Sequence, residues 1–416
     1  MRGHGGAVSS PRSTVGRAVL LGAAALVAVF VPTVTYVATA EDGPALVGSW
    51  NHYPTIDTAA GHVVSPMGCV KRLTPAALHA RFRDGFGPLV GIDGQHVVKL
   101  GRGRYLWLFS DANLDYTNRA RTLRETQRVG NVAALQRGRC FKLIRGGTSA
   151  RAAAFEPGYS GMPHNTFFWP LGGQTHGGRV YVFWAEMQRD ETPPPGDGIY
   201  RHPVRTWLAT YDARTLTRLR LRPAPNDGVF PQYGFAVASD ATHTYLFGNS
   251  NLLNLTYEGG FYNGPHSATR MYLARVPRGR LRRPPVYRTA RGWSADPDDA
   301  VPISERFWTE NTMQPRFIKG RWLAVTKVDG FWGRRTIVET AARPWGPWRV
   351  VSRRIIRPFR GYDEMNNYQP IILPYRGPAG NLIIAMSQNA RHWPDAVHDF
   401  SMYRPQVYGE PWPFGR

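Results

Sequence analysis

The chain has 416 residues, 42% of them hydrophobic and 12% aromatic, which is ample for a large core. Its 44 Gly and 34 Pro are spread along the length, which argues for many short strands joined by turns and against long helices. A formal charge of +23 disfavours cationic partners and favours anionic surfaces or polymers, and two cysteines without a CxxC pair leave zinc and dithiol redox chemistry unsupported.

Residues 1–17 carry Arg2, Arg12 and Arg17 and no acid. A continuous apolar run, AVLLGAAALVAVFV (18–31), follows, and then the small-x-small pattern Ala38-Thr39-Ala40. That order reads as a secretory signal peptide over residues 1–40. The same stretch is long enough to span a bilayer, so an uncleaved anchor is the alternative; Pro32, Thr33 and Thr35 favour cleavage. Either way the remainder is expected outside the cytoplasm, secreted or in the cell envelope. Without residues 1–40 there are 49 basic and 29 acidic residues, a charge of +20. Nearly all the basic residues are Arg, clustered in TRLRLRP (217–223) and RGRLRRPP (278–285). Strand alternation places these arginines on one solvated side of an outer strand, and with export this argues against nucleic acid as a partner.

Residues 41–84 form an N-terminal segment that can contribute a blade-closing strand, with a short helix expected over 71–84. Export permits a disulfide between Cys69 and Cys140; two buried free thiols are the alternative.

From residue 85 to 416 one pattern recurs. A turn, often Gly-Arg, precedes a short apolar or aromatic strand that ends in polar residues. The copies are GRYLWLFSD (103–111), GRVYVFWAE (178–186), THTYLFGNS (242–250), GRWLAVTK (320–327) and GNLIIAMSQN (380–389). Each follows another strand-like segment, beginning near Asp93, Asn165, Tyr233, Met313 and Tyr368. Five repeats of three or four antiparallel strands define an all-β chain, a five-bladed β-propeller. Radial packing buries both faces of each sheet, and residues 45–52 or 401–409 are candidates for the strand that closes the ring. Kelch Gly-Gly pairs are absent from the repeats at 320 and 380, and the sialidase-type S-x-D-x-G-x-x-W turn does not occur. ETPPPGDG (191–198) and ADPDDA (295–300) read as exposed loops, the latter without calcium-ligand spacing; no metal or cofactor is implied.

In a propeller the first residues of the inner strands open onto one face. Asp93 starts the first of them, with Asn165, Tyr233, Gln314 and Gln369 at equivalent places. The next strand runs back, so Asp111 returns to the same face. Two carboxylates there can lie within about 5–10 Å, the range used in glycoside hydrolysis. Asp is also a common turn residue, and IDGQ and SDAN are both good turn sequences. An acid partner is also needed; Glu310, beside Phe307 and Trp308, is the first candidate, ahead of Glu186 and Glu364. Tyr116, Phe168, Trp169, His164, Tyr368 and Asn367 supply flat or hydrogen-bonding surfaces for a sugar, although most Trp must be blade packing. No P-loop, GxSxG elbow or HExxH is present.

Asp93-Gly94, Trp107-x-Phe109-x-Asp111, Phe168-Trp169-Pro170, Gly346-Pro347-Trp348 and Tyr403-Arg404-Pro405 together resemble a family of bacterial secreted five-bladed propellers. That family was long catalogued only as a domain of unknown function and is linked to endo-D-arabinofuranase activity. The resemblance spans about residues 85–410. It implies that Asp93 and Asp111 carry the reaction, on arabinan of an actinobacterial arabinogalactan. The chain departs from the family at Ser110-Asp111-Ala112, where Gly-Asp-Thr is usual, which points to altered substrate or lost activity. The expectations are therefore a monomeric wall-polysaccharide hydrolase with Asp93, Asp111 and Glu310 as catalytic groups. His164, Asn165, Trp169, Tyr233, Gln314, Tyr368 and Gln369 are expected to bind substrate, and an anionic envelope surface is a further partner. The alternatives are a non-catalytic carbohydrate-binding propeller and a scaffold anchored through residues 18–40.

Overall fold

The computed structural model describes residues 62–85, 87–189, 201–229, 231–249, 270–304, 314–328, 334–356, 365–390 and 393–414. The expected signal segment, the closing candidate 45–52, the loop 191–198 and Glu310 and Glu364 lie outside them. Among the described residues no helix is long and apolar enough to cross a membrane.

Five antiparallel sheets follow one another along the chain. Blade one runs outward from Gln95–Gly101 through Arg104–Phe109, Val132–Arg137 and Cys140–Gly147, and Val63–Cys69 is its outermost strand. Blade two is Thr166–His176, Arg179–Arg189, Arg201–Asp212 and Arg218–Pro223. Blade three begins with Gln232–Ser239, His243–Asn249 and Met271–Pro277, and Val286–Arg288 and Trp293–Ser294 complete it. Blade four is Arg316–Ile318, Arg321–Lys327, Arg335–Ala341 and Arg349–Ile355; blade five is Met365–Arg376, Leu382–Ala390 and Gln406–Glu410. Each blade packs on the next, and the inner strand of blade five returns to that of blade one. This is the expected five-bladed ring.

The second strand of every blade is one of the five repeated segments, and its apolar residues fill the spaces between blades. Trp107, Trp184 and Trp322, from blades one, two and four, are wholly buried. Leu106 and Leu108 meet Trp184 and Trp207 between blades one and two; Phe183, Tyr233, Phe247 and Trp322 join blades two to four. Leu323 and Val325 meet Ile372 and Ile384 between blades four and five. Phe82, Trp107, Ile371 and Ile383 close the ring between blades five and one.

No shared strand performs that closure among the described residues. Gln406–Glu410 pairs with Leu382–Met386 of its own blade, and Val63–Cys69 pairs with Cys140–Arg145 of blade one. The helix Pro75–Asp84 instead covers the seam against Gln406–Glu410. Thr74 caps it by accepting from the Ala77 amide (3.1 Å), Pro75 suits its first turn, and Leu78 and Phe82 are its buried face. Cys69 and Cys140 face each other in register and form a disulfide across the two outer strands of blade one. Asp296 and the turn Pro297–Asp299 form an exposed cap, as a solvated loop should.

The arginines of 217–223 do not share one side as alternation suggests. The register shifts between Thr210 and Tyr211, so Arg218 pairs with Tyr211 while Arg220 and Arg222 keep the opposite phase. Arg218 then reaches buried Glu156, and Arg222 reaches toward blade three.

Candidate active site

Asp93 lies between Leu89–Ile92, in a small three-stranded sheet, and the inner strand of blade one. Asp111 lies between the second strand of blade one and Ala112–Leu114 of the same small sheet. The two backbones are bonded to each other. The Asp93 amide donates to the Asp111 carbonyl (2.9 Å), and the Ser110 amide donates to the Asp93 carbonyl (2.8 Å). Strand, turn and returning strand therefore do bring the two aspartates to one end of blade one.

Their surroundings differ. Asp93 is half-buried. Its Oδ1 accepts from the Gly94 amide (2.6 Å) and from the Tyr368 hydroxyl of blade five. Asp111 is 0% exposed. Arg128 Nη2 donates to its Oδ2 (2.6 Å), and Trp169 Nε1 of blade two donates to its Oδ1 (3.1 Å). Both oxygens of Asp111 thus take charge-assisted bonds, which fix its orientation.

The connection between the aspartates and blade five is equally specific. Gln95 Nε2 donates to the Gln369 carbonyl (2.6 Å), and Ser387 Oγ donates to Gln95 Oε1 (2.7 Å). Gln369 holds a left-handed backbone with φ +49°. Gly94 has φ +48°, and a Cβ there would stand 2.6 Å from Ser110 Oγ and 2.9 Å from Gln369 Oε1. Only glycine fits that turn. The Ser110 hydroxyl is packed over this glycine, and Asp111 has its arginine and indole partners beside it.

Of the expected substrate residues, the structure gathers Trp169, Tyr368 and Gln369 around the aspartates. Asn165 is half-buried at the start of blade two, where its carbonyl accepts from the Arg189 amide (3.0 Å), and His164 beside it is exposed. Tyr233 is not at the mouth. It is wholly buried, with its ring 5.1 Å from Tyr287, and burial holds its phenol well above the ordinary value. The register shift between Tyr233 and Ala236 turns it into the core between blades. Gln314 is also buried, away from the mouth. Glu186 is enclosed by Tyr159 (3.0 Å) and Trp207 (2.6 Å), which leaves it bracing blade two. Tyr116 lies under the Arg145 guanidinium, 4.5 Å from the ring centre.

Sequence reasoning missed Arg128, Gln95, Ser387 and the axial pair His96 and Arg316. Arg128 faces Asn113 in the small sheet, two residues beyond Asp111. That register depends on a turn of irregular structure, so no local spacing announces it. Arg316 donates to the carbonyls of Val97 (2.9 Å, blade one) and Ile372 (blade five). Among the described residues no cluster of three or more His, Cys, Asp or Glu could hold a metal ion.

A five-bladed ring with two bonded aspartates at one end of its first blade is the class of molecule that fold and site define. The chain belongs to the family described as Domain of unknown function (DUF5005), whose profile matches residues 82–408. No curated protein matches it in sequence. A crystal structure of a "putative hydrolase" from Bacteroides ovatus ATCC 8483 is similar in fold, with TM-score 0.57 and 16% identity over 87% of this chain and 97% of that one. The catalytic domain of a GH62 α-L-arabinofuranosidase from Coprinopsis cinerea aligns with TM-score 0.41 and 11% identity, over 83% of this chain and 96% of that one. A GH43_1 enzyme from Xanthomonas citri gives TM-score 0.42 and 12% identity, over 78% and 88%. The last two likenesses are too low to carry weight.

Proposed function

We propose that the protein is an exported glycoside hydrolase that cuts furanosidic linkages of a wall polysaccharide, an arabinan of the arabinogalactan type. The observation that carries this reading is the pair Asp93 and Asp111, joined through their backbones and held in unlike surroundings. Paired carboxylates with separate tasks are what glycoside hydrolysis requires. Asp93, half-buried, meets the substrate as general base or nucleophile, and the Tyr368 hydroxyl sets its rotamer. Asp111 is the partner acid, whose negative charge supports the site from behind the surface, and Trp169 offers the edge of a sugar platform. Glu310 completes the set as proton donor. The Bacteroides ovatus protein described as a hydrolase is in keeping with this, and so is the disulfide, which suits an oxidising compartment.

The test is release of oligosaccharides from purified arabinogalactan. Asp93→Asn is expected to abolish release while leaving the thermal melt near that of the parent. Undiminished release by that variant would end the assignment. The complete burial of Asp111 favours one second reading, a non-catalytic arabinan-binding propeller in which Asp111 is purely structural. That reading requires arabinan binding by the parent with no product after long incubation.

A further inference from the structure

Away from the aspartates, blades two and three build a patch of positive charge at their outer junction. The outer strand of blade two presents Arg220, which is exposed, and Arg222, which is half-buried. Facing them is the turn after Met271–Pro277, with Arg278, Arg280, Arg282 and Arg283 all exposed. Arg222 Nη2 donates to the Arg282 carbonyl (3.2 Å), so strand and turn are in contact. Burial, with Arg220 and Arg282 as charged neighbours, lowers the pKa of Arg222. Neither 213–223 nor 277–288 contains an Asp or Glu. Asp212, just before the first of these segments, is occupied within its own turn by the amides of Arg214 (2.9 Å) and Thr215 (2.8 Å). Arg218 is taken by Glu156 and faces the other way.

The turn is a fixed platform. Leu281 is 1% exposed and anchors it in the core. The Gly279 amide donates to Thr244 Oγ1 (3.0 Å), and a Cβ at Gly279 would strike the His176 ring. Arg280 and Arg283 close successive turns onto the Pro277 and Arg280 carbonyls, each at 2.9 Å. Like charges are therefore held side by side by apolar packing, without a carboxylate from either segment to offset them. Such an arrangement is relieved by an anion, and guanidinium forks match phosphate oxygens in pairs. Arg220 and Arg222 stand about 7 Å apart along the strand, two residues at ~3.4 Å each, which suits successive charges of an extended polymer.

We infer that Arg220, Arg222 and Arg282 form a binding site for the phosphodiester groups of a linear cell-envelope polymer. The turn follows the last residue of a strand whose first residue lies at the aspartate end, so the patch belongs to the opposite end of the ring. It is independent of the proposed hydrolysis and serves to hold the protein on its wall. The Cys69–Cys140 bridge favours a polymer met in oxidising surroundings over nucleic acid.

The experiment measures binding of the full chain to poly(glycerol phosphate) across a salt series, with inorganic phosphate and a single-stranded DNA of equal charge as further probes. The parent is expected to bind the polymer with strong salt dependence. Arg220→Ala with Arg282→Ala should weaken binding about tenfold and flatten the slope of log affinity against log salt by about two. Arg349→Ala with Arg353→Ala removes the same charge from the exposed outer strand of blade four and should change affinity less than about twofold. Both pairs must melt near the parent temperature; Arg220→Gln with Arg282→Gln, which removes the charge but keeps most of the side-chain stem, replaces the Ala pair if it does not, with the same loss expected. The proposal is overturned by no polymer binding at low salt, or by equal weakening from both pairs, which would mean diffuse net charge. It is also overturned by tighter binding of the DNA, or by inorganic phosphate competing as well as polymer at equal phosphate. Hydrolysis of neutral arabinan should be unchanged in the Arg220/Arg282 pair, which separates this site from Asp93.

Discussion

Arg128 reaches Asp111 from a three-residue strand, and with Trp169 it turns a buried charge into a fixed one. A lone carboxylate without exposure would be untenable, so the guanidinium is as necessary to the fold as to the site. Removing one partner of a buried ion pair leaves the other unpaired, which costs about 3 kcal/mol or more. Arg128→Ala should lower the unfolding free energy by about that amount in urea titration. Trp169→Phe, which keeps the ring but loses the indole donor, should cost about 1.5–3 kcal/mol. Parent-like stability of Arg128→Ala would show that Asp111 is neutralised by another route. The same logic places Ser110: its hydroxyl lies over Gly94, away from the bonds that hold Asp111, so it shapes the wall of the site without touching the arginine and indole that fix the carboxylate.

At the scale of strands, the disulfide joins Val63–Cys69 to the strand beginning at Cys140, across a sequence separation of 71. A bridge closing a loop of that length stabilises by about 4 kcal/mol in the chain-entropy account, and native bridges commonly contribute 2–5. Cys69→Ser with Cys140→Ser is expected to lose about 2–4 kcal/mol and to free the outermost strand of blade one to hydrogen exchange. Two titratable thiols in the denatured, unreduced parent would contradict the bridge itself. Strands are also where legibility in the sequence divides. The five repeated segments became the second strands of five blades because period-two patterning and Gly turns are local signals. The helix Pro75–Asp84 was visible in the same way. Irregularities were not visible. The inner strands of blades two, three and five each shift register, between Pro170 and Gly173, Tyr233 and Ala236, and Tyr368 and Ile371. Each such bulge resets which face a side chain meets. Strict alternation therefore puts Tyr233 at the mouth, whereas it lies in the core, and puts Arg218 beside Arg220, whereas it faces away.

For the whole ring, the axis is held by polar groups rather than by a shared closing strand. His96 of blade one sets its ring edge-on to Phe235 of blade three, 5.2 Å away. Arg316 of blade four ties blades one and five through Val97 and Ile372. Burial, and secondarily the Arg316 charge, push His96 down to about 3, and burial pushes Arg316 down to about 10. His96 is then neutral in the folded state across the physiological range. An unfolded chain has His96 near 6.5. Above that value neither state binds the proton and stability does not depend on it. As pH falls through 6.5 the unfolded state takes up a proton that the folded state refuses until about pH 3, so stability is lost across that window. The loss is about 1.4 kcal/mol per unit and at most about 5 kcal/mol in total. His96→Gln keeps a hydrogen-bonding group without the titration. The stability advantage of the parent over this variant should shrink steadily from pH 6.5 to 4.5, by about 2–3 kcal/mol in urea titrations at each pH. An advantage that stays constant over those two units would mean that acid opens the ring elsewhere and that His96 is not the group through which the axis senses protons.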